Sequence, residues 1–185
     1  MPGSKDLLTT TSFHMEVSTV TVLETAKKMI DYSHGNLHDI NHFMKVYAYA
    51  KMIADGEQLD PDTQKLVEMT ALVHDIACPL CRVKYGNTNG KNQEKESAAL
   101  IAEFFKDSNL PQDFTDRISF LVSHHHTLDQ IDGIDYQIII EADYLVNADE
   151  SHFSGHNIKN MYDKIFKTET GKFFIILDDI FTIIR

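Results

Sequence analysis

The stretch Leu66-Val67-Glu68-Met69-Thr70-Ala71-Leu72-Val73-His74-Asp75 is an apolar run that ends in a histidine and an aspartate side by side. It is preceded by Asp60-Pro61-Asp62, and proline is well tolerated in the first turn of a helix. These features predict a helix that begins at Pro61 and ends near the His74-Asp75 pair. Elsewhere, apolar residues recur mostly at spacings of three and four, the period of amphipathic helices. The sequence therefore predicts an all-α fold.

The chain is predicted to form one domain over residues 1–185, a bundle of seven or eight helices around a single core. The predicted helices cover about 15–33, 39–54, 60–75, 94–107, 111–124 and 136–148, with one or two more within 156–185. Asp39 is a candidate N-cap of the second helix. A polar loop is predicted over 84–92. The runs 137–140 and 173–176 are rich in β-branched and aromatic residues and by propensity also permit strands, but their helical neighbours favour helices.

Composition and charge limit the class of protein. Charged residues make up 24% and apolar residues 43% of the chain, as in soluble globular proteins. The net charge of −11 disfavours nucleic acid polymers and anionic membranes as partners, because such contacts depend on lysine and arginine. No run approaches the roughly eighteen apolar residues of a membrane span, and no secretory signal pattern is seen. We therefore expect a cytoplasmic protein.

Four side chains in three predicted helices offer nitrogen and oxygen donors: His42, His74, Asp75 and Asp143. Two imidazoles and two carboxylates together suit a divalent cation that is neither purely soft nor purely hard. Taken singly, a histidine or aspartate in such a segment is more often a helix cap or a hydrogen-bonded core residue. Taken as a set, they also account for carboxylates lodged in apolar helices, where an unpaired charge is costly.

The order His42, His74-Asp75, Asp143 resembles the H…HD…D pattern of the HD superfamily of metal-dependent phosphohydrolases, over about residues 38–149. The resemblance implies a bundle of the HD-domain type, with C-terminal helices within 156–185 packed on it. It implies that these four residues bind a metal, and that Asp75 also orients a water that attacks a small phosphorylated substrate. Manganese, magnesium, iron, cobalt, nickel and zinc are all compatible with the four ligands.

The triplet His124-His125-His126 follows the apolar positions of the fifth predicted helix. The HD superfamily commonly has a histidine in this region that contacts phosphate or serves a second metal. His124 fits this role best by its distance from Leu121, and His125 is second. A solvated helix end, where imidazolium complements the helix dipole, remains the alternative for at least one of the three.

The chain departs from the dinuclear members of the superfamily at the helix that follows the polar loop. Those relatives have a further histidine there, and Gln93 lies nearest the corresponding position. A neutral amide is a poor substitute for imidazole. Glu94 and Glu96 are alternatives, but glutamates early in a helix are more often favourable partners of its dipole. The comparison therefore predicts one metal ion.

Three cations and two thiols lie between the HD pair and the next helix. Arg82, Lys84 and Lys91 are candidates to grip phosphate oxygens, and solvated surface charges are the alternative. Cys78 and Cys81 have the spacing of redox and zinc motifs, but no second pair completes a zinc site and no strand–helix context supports a thioredoxin-like one. They are predicted to be core or loop thiols.

The sequence thus predicts a metal-dependent phosphohydrolase that acts on a small phosphomonoester or a nucleotide. Two other functions remain open. A di-iron oxygenase of the same scaffold requires more ligands than the sequence shows, and two irons per chain with oxygen uptake would identify it. A non-catalytic nucleotide-binding regulatory module keeps the fold without turnover, and failure to release phosphate from a broad panel of esters would favour it.

Overall fold

The computed structural model describes the backbone of residues 19–184 and the side chains of residues 19–176. This part of the chain contains nine helices and no strand, which confirms the predicted all-α fold. The helices are α1 Val22–Tyr32, α2 Leu37–Gly56, α3 Pro61–Val73, α4 Cys78–Tyr85, α5 Gly90–Phe105, α6 Gln112–Val122, α7 Ile134–Glu150, α8 Gly155–Lys164 and α9 Glu169–Ile184.

The helix of the HD pair, α3, lies at the centre of the bundle. Asp60 caps it, because its carboxylate accepts from the backbone N–H groups of Asp62 and Thr63, and Pro61 occupies the first turn. All residues from 66 to 73 are buried. Met69 and Leu72 belong to one core cluster, with side chains of α5 and α6, and Val67 belongs to a second, with side chains of α2, α7 and α9. Six of these eight residues are apolar, and the one charged residue among them, Glu68, accepts a hydrogen bond from Lys51 at 2.8 Å.

The second buried helix is α7. Its β-branched run Ile138, Ile139 and Ile140 is helical, because side chains of both core clusters surround it. The run 173–176 is helical as well, within α9. Tertiary packing therefore overrides the strand propensity of both segments. No helix in residues 19–184 is both long and apolar enough to cross a membrane.

Several predicted boundaries differ from the structure. Asn36, not Asp39, caps α2, since the Asn36 side chain accepts from the N–H groups of His38 and Asp39. The predicted loop 84–92 is reduced to 86–89, because α4 extends to Tyr85 and ends at Gly86 in the left-handed region (φ 69°), while α5 begins directly after its cap, Asn89. The first helix begins at Val22, and the predicted part 15–18 lies outside the described residues.

Candidate metal centre

Three neighbouring segments carry the four predicted ligands to one point. His42 lies in the first half of α2, His74 directly follows α3, and Asp143 lies in the middle of α7. The Nε2 atoms of His42 and His74 are 3.3 Å apart. The Oδ1 atom of Asp143 lies 3.2 Å from Nε2 of His42 and 3.5 Å from Nε2 of His74.

Asp75 completes this set. Its Oδ2 atom lies 3.6 Å from Nε2 of His42 and 3.8 Å from Nε2 of His74. Consecutive side chains of a regular helix point about 100° apart. His74 and Asp75 can still face one point, because α3 ends at Val73 and the chain turns before α4 begins at Cys78. The structure therefore brings together all four side chains that the sequence singled out.

The hydrogen bonds of the two imidazoles decide which atoms face the centre. Nδ1 of His74 lies 2.8 Å from the carbonyl oxygen of Ala71, which can only accept, so this nitrogen carries the proton. Nδ1 of His42 lies 2.9 Å from Oε2 of Glu150 and donates to that carboxylate. In the neutral tautomers, both Nε2 atoms therefore present lone pairs to each other and to two carboxylates.

This arrangement fits a cation. The four facing atoms are all acceptors, and a positive ion or added protons at the centre would relieve their mutual repulsion. An ion about 2.1 Å from each donor requires neighbouring donors to lie roughly 3.0–3.4 Å apart. The observed distances of 3.2 to 3.8 Å need only a small contraction. Imidazole groups anchored through Nδ1 by a carbonyl or a carboxylate are typical of metal ligands.

The protonation of the set reflects its mutual attraction. Burial favours the neutral acid of Asp143, but the hydrogen bonds with His42 and His74 hold the pKa of Asp143 well below its usual range. Burial lowers the pKa of His42, yet Asp143 and Asp75 together raise it to about 9. In the metal-free protein at neutral pH, His42 therefore carries an added proton, and this imidazolium supplies the positive charge at the centre.

The structure places the three histidines of the triplet differently from the prediction. His125 is buried, Nδ1 donates to the carbonyl of Val122 (2.8 Å), and Nε2 lies 3.7 Å from Oδ1 of Asp75. Asp75, His125 and His126 form a second group of donors, all within 4.8 Å of one another. His124 instead donates to the carbonyl of Phe120 and stacks on its ring, 4.4 Å away. The structure thus brings His125 and His126, and not His124, to the centre.

The reason lies in the end of α6. This helix ends at Val122, so the helical spacing from Leu121 that favoured His124 does not extend to the triplet. The pKa of His125 reflects its buried position beside Asp75. Burial lowers this pKa, but Asp75 raises it above the ordinary value.

A cavity of about 280 Å³ opens over the centre, and of the three predicted phosphate-binding cations only Arg82 lines it. Arg82 makes a bidentate ion pair with Asp39, with N–O distances of 2.7 and 2.5 Å. Lys84 is exposed and bonded to Glu96 at 2.8 Å, and Lys91 is exposed at the beginning of α5. The structure therefore does not bring Lys84 or Lys91 to the cavity.

Two residues near the centre were missed in the sequence. The side-chain amide of Asn147 donates to Oδ1 of Asp143 at 2.8 Å. Glu150 accepts from His42 and, at 3.0 Å, from Lys45. On α7, Asn147 lies one helical turn (i+4) and Glu150 two helical turns (i+7) after Asp143. Helical periodicity was therefore the signal that could have found them.

The two cysteines are buried free thiols, as predicted for core thiols. Burial raises the pKa of both. Cys78 lines the cavity, and Cys81 does not. Neither belongs to a group of donors that could hold a metal among the residues that the structure describes.

Comparison with known proteins agrees with this site. The HD domain family model matches residues 39–149, more than half of the chain, and this range includes all four predicted ligands. The chain belongs to the HD domain family. The fold is also similar to a crystal structure of a predicted HD superfamily hydrolase from an uncultured Thermotogales bacterium, with a TM-score of 0.59 and 19% identity over 88% of this chain and 85% of the other. No curated protein matches the sequence.

Proposed function

We propose that this protein is a metal-dependent phosphohydrolase with one divalent ion held by His42, His74, Asp75 and Asp143. The observation that carries the proposal is the convergence of four acceptor atoms from three segments of the chain, in which each carboxylate oxygen lies 3.2 to 3.8 Å from the Nε2 atoms of His42 and His74. Membership of the HD domain family supports it.

The side chains around the centre have separate tasks in this proposal. A bound divalent ion supplies a Lewis acid, which acidifies water and polarises a phosphoryl oxygen. Asp75 orients the attacking water. His125 does not line the cavity and acts through Asp75, whose Oδ1 atom it faces at 3.7 Å. Arg82 lines the cavity and binds the phosphate oxygens through its charged guanidinium. His126 also lines the cavity, and because desolvation and the neighbouring His125 lower its pKa to about 4, it offers the phosphate a neutral N–H donor.

The substrate is a small phosphomonoester or a nucleotide. The set of phosphate-binding cations is reduced here from three to Arg82, because Lys84 and Lys91 do not line the cavity. Arg82 remains available to a phosphate, since 40% of its side-chain surface is exposed despite the ion pair with Asp39. Neither a nucleic acid polymer nor a membrane is proposed as a partner of this acidic chain.

The test compares the wild type with a His74→Ala/Asp75→Ala variant. Metal content of the freshly purified proteins and phosphate release from sugar phosphates and nucleotides are measured with added Mn²⁺. We expect the variant to lose its metal and at least 99% of the activity while it keeps its helical circular dichroism. An Asp149→Asn/His156→Ala variant, altered at exposed residues, is the control and should retain both. Undiminished activity in the His74→Ala/Asp75→Ala variant would refute the proposal.

Di-iron oxygen chemistry is the second candidate, because Asp75, His125 and His126 offer donors for a second ion. This second group includes one carboxylate, already shared with the first, and is poorer in anionic ligands than the first. Two irons per chain together with oxygen uptake would rank this function above hydrolysis. A wild type that holds a metal but releases no phosphate from any ester would instead favour a nucleotide-binding regulatory module.

A further inference from the structure

Asn147 is bonded to Asp143 at two points. Nδ2 of its side-chain amide donates to Oδ1 of Asp143 at 2.8 Å and to the backbone carbonyl oxygen of Asp143 at 3.1 Å. Both acceptors are oxygens, so the orientation of the amide is fixed, because a flipped amide would place its own oxygen against them. The two residues are four apart on α7 and therefore lie one above the other on the same face of the helix.

The amide holds the oxygen that faces the centre. Oδ1 of Asp143 lies 3.2 Å from Nε2 of His42 and 3.5 Å from Nε2 of His74, and the same Oδ1 accepts from Asn147. Rotation of the carboxylate about its Cβ–Cγ bond would break the contact with the amide. The contact therefore fixes the carboxylate with Oδ1 towards the two imidazoles.

The second carboxylate also turns one oxygen to the imidazoles. Oδ2 of Asp75 lies 3.6 and 3.8 Å from Nε2 of His42 and His74, whereas Oδ1 lies 3.7 Å from Nε2 of His125. The centre therefore offers two nitrogens and two oxygens. Ca²⁺ takes about six to eight oxygen ligands at about 2.3–2.6 Å, often with both oxygens of a carboxylate, whereas smaller divalent ions form shorter bonds and accept imidazole. A smaller ion suits this set.

Asn147 restrains Asp143 without adding charge. Four carboxylates already line the cavity, those of Asp39, Asp75, Asp143 and Glu150, and Asn147 lines it between the last two on α7. A carboxylate at position 147 could not donate to Asp143 and would add a fifth negative charge. A neutral amide supplies the hydrogen bond alone.

We propose that Asn147 is a positioning residue that limits Asp143 to one ligand oxygen and thereby selects a small divalent ion, such as Mn²⁺, against Ca²⁺. This inference rests on the metal centre of the proposed function. Without the amide, the carboxylate is free to rotate and to offer both oxygens. That freedom weakens the binding of a small ion, because the ligand is no longer preorganised, and costs Ca²⁺ little, because Ca²⁺ accepts both oxygens of a carboxylate.

The test compares the wild type with Asn147→Ala. Titration of the metal-free proteins gives the dissociation constant for Mn²⁺, and displacement of bound Mn²⁺ by Ca²⁺ gives that for Ca²⁺. In Asn147→Ala we expect the affinity for Mn²⁺ to fall by about 10–100-fold and the affinity for Ca²⁺ to change by less than about twofold. An Asn160→Ala variant, altered at an exposed asparagine of α8, is the matched control and should change neither affinity.

The outcomes separate this inference from the proposed function. A structural loosening of the whole centre would weaken both ions alike, so equal losses in Asn147→Ala overturn the role of Asn147 in selection. An unchanged affinity for Mn²⁺ overturns it as well, and so does a Mn²⁺ that Ca²⁺ displaces from neither protein. A wild type that binds no Mn²⁺ refutes the metal centre itself, whereas the other three results leave the proposed function intact.

Discussion

At the scale of single residues, the Nδ1 partner of each imidazole determines what its Nε2 atom can do. The carbonyl of Ala71 and the carboxylate of Glu150 hold the Nδ1 protons of His74 and His42, so in the neutral imidazoles both Nε2 atoms are free to accept. Glu150 differs from a carbonyl in two ways. It is negatively charged, and Lys45 holds its other oxygen at 3.0 Å. It therefore orients the His42 ring and makes Nε2 a stronger donor to a cation.

A Glu150→Gln variant tests this role. The amide can still accept from His42, but it loses the charge and cannot accept equally well from both His42 and Lys45. We expect the affinity for Mn²⁺, measured by competition with a chelator, to fall by about 10–100-fold. The neighbouring exposed Asp149 also lies near Lys45, at 4.0 Å, so Asp149→Asn is a matched control that should change the affinity less than twofold. Equal affinities in both variants would show that Glu150 has no such role.

At the scale of elements, the beginning of α5 packs closely against one residue of the histidine triplet, His126. A Cβ atom at Gly90 would lie 2.6 Å from Cδ2 and 3.2 Å from Cβ of His126. Gly90 thus lets α5 begin directly beneath the imidazole ring. Gln93 lies in the first turn of the same helix, and His126 packs against Gly90. The beginning of α5 therefore sets the position of two residues that line the cavity, Gln93 and His126.

A Gly90→Ala substitution should therefore destabilise the fold, although alanine favours helices. We expect the free energy of unfolding to fall by about 1–2 kcal/mol, the usual effect of overpacking. In a His126→Ala background the ring is absent, and the same change should be neutral or stabilise by roughly 0.5 kcal/mol. Urea denaturation of the four proteins of this double-mutant cycle measures the difference. The same loss in both backgrounds would contradict the close approach of ring and helix.

At the scale of the whole molecule, the centre connects α2, the end of α3 and α7, so its charge state affects global stability. In the metal-free fold the pKa of His42 is raised to about 9, above the value of about 6.5 for an unperturbed histidine. The resulting stabilisation is complete below about pH 6.5 and is lost as the pH rises through about 9. A metal requires the unprotonated Nε2 atom, so metal binding has the opposite dependence on pH.

We therefore expect the metal-free protein to lose thermal stability between pH 6.5 and pH 8.5, while the increase in Tm caused by a fixed concentration of Mn²⁺ becomes larger. The apparent affinity should rise by up to about tenfold per pH unit in this window, because one proton is displaced. Thermal unfolding at both pH values, with EDTA or with Mn²⁺, measures both trends. The His74→Ala/Asp75→Ala variant is the control and should show no effect of Mn²⁺. An increase in Tm that is independent of pH would argue against proton competition at His42.

Much of this architecture was predictable from local sequence patterns. Helical periodicity indicated an all-α bundle, and Asp60-Pro61 placed the beginning of α3 correctly, because caps and first-turn prolines act within a few residues. Helix α4 was not predicted, and the beginning of α5 was predicted at residue 94 instead of Gly90. They depend on Gly86 in the left-handed region and on Asn89 as a cap, two weak signals within a polar stretch.

What the sequence by itself determined is the set of four ligand candidates and the buried helix that presents two of them, since residue type, order and periodicity suffice for both. Only the tertiary structure decided which side chains share the cavity with that set. His126 lies at the centre and His124 does not because α6 ends at Val122. Arg82 reaches the cavity whereas Lys84 is held by Glu96. These choices depend on where helices end and on which partners compete for a side chain, and both are set by packing between segments distant in the chain.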